Sequence, residues 1–340
     1  MRSKRATSAD VAKRAGVSRA TVSYVLNNRA DQSIPESTRR RVQQAARALS
    51  YVPNASARAL RGKLPPVILQ VSTAMPFGRN LGELTDALTR YAAESGYSVV
   101  TFQSGDAAAL EATIAHLQPQ LIETSMPLSR EVAAILERSG IPHVDGWARL
   151  RDADGLTIVC RLQVERLLAA GCRRIAYLGA AEDDLAVFAR DRQEAVRELA
   201  LAAGLPEPPV SAHPMMVTTE QLEPLRAVLR EWRSGDEPVD GVACYNDFWA
   251  GALLRAARAE GIDVPGQLSV IGIDDEPMAA YLDPPLTTVS LDIASYSRGI
   301  FDAAQAIIEA GPGEDPAVPL PGPAHAVLVE RETAAPVRMD

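Results

Sequence analysis

Only three cysteines occur in 340 residues: Cys160, Cys172 and Cys244. Their number is odd and their spacing fits no ligand pattern. That argues against a disulfide framework and a cysteine-built zinc site, and predicts reduced thiols in a cytoplasmic protein. The four histidines, His116, His143, His213 and His325, are scattered and suggest no metal centre. No run of about 20 apolar residues is present to span a membrane. The first residues, MRSKRATSAD, are charged but lack the apolar stretch of a signal peptide. No G-x-G-x-x-G follows the first strand, and no P-loop or G-x-S-x-G elbow occurs. No cofactor and no catalytic role are therefore expected. Residues 311–340 are rich in glycine and proline without leucine heptads, which excludes a tetramerising coiled coil.

What is present is an uneven charge. The net charge is −8, yet residues 1–63 hold 14 Lys+Arg against 3 Asp+Glu, and the rest hold 21 against 40. A basic head of +11 on an acidic body of −19 points to a nucleic-acid-binding module joined to something else. The acidic body should repel DNA, which confines binding to the head.

The head is patterned. Thr7 can cap a first helix with Asp10 at its third position, and Val11, Ala12 and Ala15 form an apolar face. Gly16 supplies a turn, and Ser18 can cap a second helix whose Val22, Val25 and Leu26 share one side. Arg19, Ala20, Ser23 and Tyr24 are left outside. A helix fits the major groove, where base edges carry a distinct donor/acceptor code. After a polar turn, Pro35 opens a third helix with Val42, Ala45, Ala46 and Leu49 as its buried stripe. Asn54 and Gly62 then bracket barely two turns, too short to be stable alone but suited to folding with a twin on DNA.

From residue 64 onward, strands and helices alternate. Strands are expected at 67–72, 98–104 and 121–126, with helices at 81–95, 107–117 and 129–139. A second round has helices at 161–170, 186–203, 219–233 and 248–260. Its strands are expected at 173–179, 213–217, 241–247 and 268–275, with one more candidate at AHAVLVE. Two such rounds imply two doubly wound parallel lobes of roughly 64–160 and 161–290, with the chain crossing back near 285–325. Ligands in such sheets bind beyond the carboxyl ends of the strands. Asn246, Asp247, Asp274 and Asp275 fall there, with Arg190 and Arg192 after the AEDD loop. Helix capping competes with ligand binding as the role of these groups, above all for Asp247 and Asp275.

These segments together resemble the LacI–GalR repressor family. The head carries Asp10-Val11-Ala12, Ala15-Gly16-Val17-Ser18, Thr21-Val22-Ser23, Asn27, Thr38-Arg39, Tyr51, Pro53-Asn54, Ala57 and Leu60; the body carries GCRRIAYLG, YNDFWAGAL, GIDVPGQLSVIGIDD and PPLTTVSLD. The resemblance implies a small all-α helix-turn-helix headpiece (1–63) and an α/β two-lobed body like periplasmic sugar-binding proteins (64–340). It implies that Arg19, Ala20 and Tyr24 read base edges, with Ala20 meeting a thymine methyl or nothing, and that Ser18, Thr21, Ser23 and Asn27 lie near phosphates. Residues 54–61 become a hinge helix bringing Asn54, Ala57 and Leu60 to DNA, with Leu60 as the minor-groove wedge. In the body, Arg192, Asn246 and Asp274 become effector contacts. A homodimeric, cytoplasmic repressor on a palindromic operator is expected, controlled by a sugar or related metabolite. The first lobe departs from the pattern: its opening loop keeps only Pro76-Phe77, and Gly155-Leu156 replaces an aspartate–asparagine pair. A constitutive binder with a silent sensor is the alternative those departures leave open.

Overall fold

The structure is a computed structural model that describes residues 6–26, 33–49, 51, 66–72, 78–124, 128–146, 155–181, 185–215, 222–310 and 326–334. The chain divides into two compact units, Met1–Pro65 and Pro66–Asp340.

The first unit holds α1 (Ser8–Ala15), α2 (Arg19–Leu26) and α3 (Glu36–Ala48). Thr7 and Asp10 close a reciprocal capping box: the Asp10 N–H donates to Thr7 Oγ1 at 3.3 Å, and the Thr7 N–H donates to Asp10 Oδ2 at 2.8 Å. Gly16 ends α1 at φ 66°, a left-handed conformation that glycine adopts without a Cβ penalty. The core is small: Val11, Ala12, Ala15, Val22, Val25, Val42, Ala45 and Ala46. Full burial of each valine contributes roughly 1.5–3 kcal/mol, so a few side chains hold the unit together.

The second unit contains two parallel four-stranded sheets of identical winding. β1 (Val67–Ser72), β2 (Ser98–Gln103), β3 (Leu121–Thr124) and β4 (His143–Asp145) lie in the order β2-β1-β3-β4. Around them run α4 (Arg79–Glu94), α5 (Ala107–Leu117) and α6 (Arg130–Ser139). The second lobe orders β6-β5-β7-β8 from β5 (Ile175–Ala180), β6 (Val210–His213), β7 (Gly241–Cys244) and β8 (Ser269–Ile271). Its helices are α7 (Gly155–Ala169), α8 (Ala186–Ala202), α9 (Glu223–Trp232) and α10 (Asp247–Ala259). Inner strands β3, β5 and β7 are buried along their whole length, as strands covered on both faces must be, whereas edge strands β2 and β6 alternate toward solvent.

The two lobes exchange chain. β9 (Thr288–Leu291) leads into α11 (Ile293–Ala310), whose Ile293, Ile300, Phe301 and Ile307 enter the first-lobe core beside Ile68, Leu84 and Val144. The chain then returns as β10 (Ala326–Val329), antiparallel to β9. Tyr296 Oη donates to the Gly146 carbonyl at 2.7 Å and ties α11 to the end of β4.

Four local expectations are corrected; the strand expected at 268–275 is only Ser269–Ile271, since Asp274 and Asp275 turn to positive φ. The helix expected at 161–170 begins at Gly155, so Gly155-Leu156 is its first turn rather than a loop ahead of it. The edge strand expected at 213–217 is Val210–His213; Pro214 cannot donate to a ladder and ends it there. The strand expected at 241–247 stops at Cys244, because Asn246 already caps the next helix.

All three cysteines are buried. Burial pushes the Cys160 thiol up to about 12 and Cys172 to about 11, which leaves no reactive thiolate at neutral pH. No helix among the described residues is long and apolar enough to cross a membrane.

Candidate functional site

On the head, α2 buries Val22 and Val25 and turns the opposite face outward. Ser18, Arg19 and Ala20 are exposed, while Thr21, Ser23 and Tyr24 are half-buried beside them. The Ser18 hydroxyl is engaged as the helix cap, accepting from the Thr21 N–H at 3.0 Å. Arg19 is an exposed cation on the first turn of a helix whose flank is small and polar, a surface that a groove can accept. Asn27, Asn54, Ala57 and Leu60, and with them the hinge helix, lie outside the described residues.

In the body, polar side chains gather just beyond the carboxyl ends of β7 and β8. Arg192 is only 6% exposed. It sits on the inward side of α8, two residues from Arg190, which faces solvent. Its Nη1 donates to the Tyr245 carbonyl at 2.5 Å, and the guanidinium lies 4.7 Å over the Tyr245 ring. Stacking on an aromatic face leaves the planar fork rigid and its edge available. Among the described residues, Nε has no hydrogen-bond partner.

Asn246 caps α10: its Oδ1 accepts from the Phe248 and Trp249 N–H groups at 3.0 and 3.4 Å. The same side chain lies near enough to Asp274 to help hold down its carboxyl, so it serves both as cap and as neighbour of that acid. Asp274 has φ 101°, a costly conformation for a residue with a Cβ, and such strain concentrates where a side chain must be aimed. Burial raises its carboxyl above the ordinary range, while the Arg192 charge and the amides of Asn246 and Asn80 pull it back. The three expected body residues, Arg192, Asn246 and Asp274, are thus electrostatic neighbours at these strand ends.

Asp247 and Asp275 play other parts, and neither caps its own helix. Asp247 is fully buried. Its Oδ1 accepts from the Thr288 hydroxyl at 2.5 Å and its Oδ2 from the Glu276 N–H at 2.7 Å. Desolvation pushes this carboxyl to about 8; the two hydrogen bonds oppose the shift, and the charges of Asp274 and Asp275 add to it. Gly272 leaves the space for Asp247, since a Cβ there would collide with Oδ1. Asp275 pairs with Arg331 at 2.7 Å.

Sequence reasoning missed the supports. Gln163, fully buried on α7, donates from Nε2 to the carbonyls of Cys244, Ile271 and Gly272 at 2.9, 3.3 and 3.2 Å. It fastens the ends of β7 and β8 from below. The first-lobe side of the cleft is supplied by Arg79 and Asn80 at the start of α4. Asn80 Nδ2 donates to Asp274 Oδ1 at 2.8 Å, and Arg79 Nη1 to the Asp275 carbonyl at 2.8 Å. The only local sign of them was a polar break after the first strand. Pro76-Phe77, the expected first-lobe remnant, lies outside the described residues. Among the described residues no group of three or more His, Cys, Asp and Glu side chains could hold a metal ion.

Comparisons with known proteins place this architecture. Residues 7–54 match the description "Bacterial regulatory proteins, lacI family", and 164–333 match a periplasmic binding protein-like domain. The chain is 32% identical over 308 residues to the HTH-type transcriptional regulator GalS of Salmonella typhimurium, covering 85% of this chain and 86% of that one. It is 32% identical to the regulator CelR of Thermobifida fusca, over 85% and 88% of the two chains. The fold superposes on the Lac repressor dimer bound to operator and the anti-inducer ONPF with TM-score 0.77 and 23% identity, over 98% of this chain and 100% of that one. The CelR–cellobiose complex gives a TM-score of 0.65 at 24% identity, over 97% and 100%. A helix-turn-helix head whose helices pack as expected, a two-lobed body with polar groups at its strand ends, and these matches along nearly the whole chain agree: the chain belongs to the lacI family of bacterial regulatory proteins.

Proposed function

We propose that this chain is a cytoplasmic transcriptional repressor that binds a palindromic double-stranded operator as a homodimer and is controlled by a sugar or related small metabolite in the cleft of its body. The observation that carries the reading is the union of two parts: a head of charge +11 offering Arg19 from a groove-sized helix, and a body holding Arg192, Asn246 and Asp274 as electrostatic neighbours. Arg19, Ala20 and Tyr24 read bases, Ser18, Thr21, Ser23 and Asn27 lie near phosphates, and Asn54, Ala57 and Leu60 belong to the hinge helix. The chain acts by binding and not by catalysis. A cation stacked on Tyr245 beside a carboxylate that itself takes amide donors suits a neutral polyol, which offers both hydroxyl donors and acceptors. Ligand changes the arrangement of the lobes, and this changes the free energy of seating the hinge helices. A coupling of about 1–3 kcal/mol would alter operator affinity roughly 5- to 150-fold.

The test begins with selection of bound DNA from a random pool, which should yield a two-fold symmetric site. Leu60→Ala should then weaken binding to that site by about 10-fold or more, while binding to bulk DNA, carried by phosphate contacts, changes little. Equal losses on both DNAs would remove the wedge role.

A further inference from the structure

The start of α4 lacks a cap of its own. Gly78, the residue before it, offers no side chain, so the first-turn N–H groups must find acceptors elsewhere. The Arg79 N–H finds one in the other lobe: it donates to Glu276 Oε1 at 2.6 Å. A carboxylate at that place also complements the helix dipole. Two neighbouring bonds cross the same gap, Asn80 Nδ2 to Asp274 and Arg79 Nη1 to the Asp275 carbonyl, both 2.8 Å. Arg79 Nε is held in turn by Glu83 at 2.6 Å. Glu276 is itself anchored, because its N–H donates to Asp247, which also takes the Thr288 hydroxyl of β9. β9 leads directly into α11 of the first lobe. The second lobe therefore grips the first at the head of α4 and, through Asp247, grips the segment on which the chain crosses back.

We propose that Glu276 is a helix cap supplied across the cleft, and that it positions the two lobes so that closing the cleft and ordering the first turn of α4 are one event. Its two contacts, to the Arg79 N–H and to Asp247, are both protein groups. Given the effector site proposed above, on which only this consequence rests, Glu276 sets how much of the closure is already made before an effector binds. Asn80 shares Asp274 with that effector, so it narrows the choice to ligands that join or displace one amide donor.

The test needs no effector. Hydrogen exchange is followed at the amides of residues 79–82, and lobe separation by dipolar spectroscopy between spin labels on cysteines introduced at the exposed Glu111 and Glu231; the native thiols are buried and stay unlabelled. Glu276→Ala should speed exchange at 79–82 about 5-fold or more, the loss typical of a missing cap, and should widen the label-to-label distribution. Glu276→Gln keeps the acceptor and the shape and should fall between wild type and Glu276→Ala in both readouts. If either readout is unchanged in Glu276→Ala, or Glu276→Gln behaves as alanine does, the proposal is overturned. Such a failure would leave the effector site standing, because that site is tested separately through Arg192.

Discussion

Replacement of Arg192 by alanine should abolish the response to effector and lower ligand affinity about 100-fold or more. The expectation follows from burial. Arg192 supplies the cation near Asp274, stacked on Tyr245 and held to its carbonyl, and its Nε is the donor not used within the described protein. A hydroxyl bonded there loses a charged donor in a dry site, and Asp274 loses its counter-charge, so both sides of the contact fail together. The same change should also lower stability, since the buried stack on Tyr245 and the bond to its carbonyl are lost. Arg192→Lys separates the two effects: it keeps the charge but not the planar fork, and should recover stability more than affinity. The measurement is the shift in melting temperature with a panel of sugars. A ligand at 100 times its Kd adds about 2.7 kcal/mol to the wild type. An unchanged shift in Arg192→Ala would show that the ligand sits elsewhere.

The second large effect concerns pH. Asp247 is held near 8, against an ordinary value of 3.8 for aspartate, because burial penalises its charge. A raised carboxyl keeps its proton in the folded chain while the unfolded chain has already released it. Folding stability from this group is therefore complete below about pH 4 and falls as pH rises toward 8, with a limiting slope of about 1.4 kcal/mol per pH unit. Asp247→Asn is a neutral isostere: its oxygen can accept from the Glu276 N–H and its NH2 can donate to the Thr288 hydroxyl. The difference in stability, Asp247→Asn minus wild type, should grow in favour of the variant from pH 5 to pH 8 and then level off. Urea titrations at a series of pH values measure it. A flat difference would mean that Asp247 is ionised in the folded chain throughout.

Much of this molecule was legible because local and global signals agree. In the head, Thr7, Gly16 and the valine stripe each demand the conformation they adopt, so two short helices and their turn could be placed from sequence alone. In the body, fully apolar runs such as IAYLG and GVAC left little choice but buried parallel strands. Arg192, Asn246 and Asp274 followed from a rule about strand ends joined to a family resemblance. What escaped was whatever depends on distant chain. Glu276 looks like any surface acid until α4 is set against it. Gln163 is one polar residue on an apolar helix face, and only the converging carbonyls of β7 and β8 explain it. For Asp247 capping and ligand binding stood as alternatives; its neighbour Asn246 takes the cap, and the buried acid joins two segments.

In this protein a basic, patterned head reads one symmetric duplex while the acidic body carries the sensor. The most direct test of this division is competition between the selected operator and bulk DNA for the whole protein at physiological salt. A preference of about 1,000-fold or more is expected, weakening or strengthening when the effector is added. A ratio near one, with or without ligand, would contradict it.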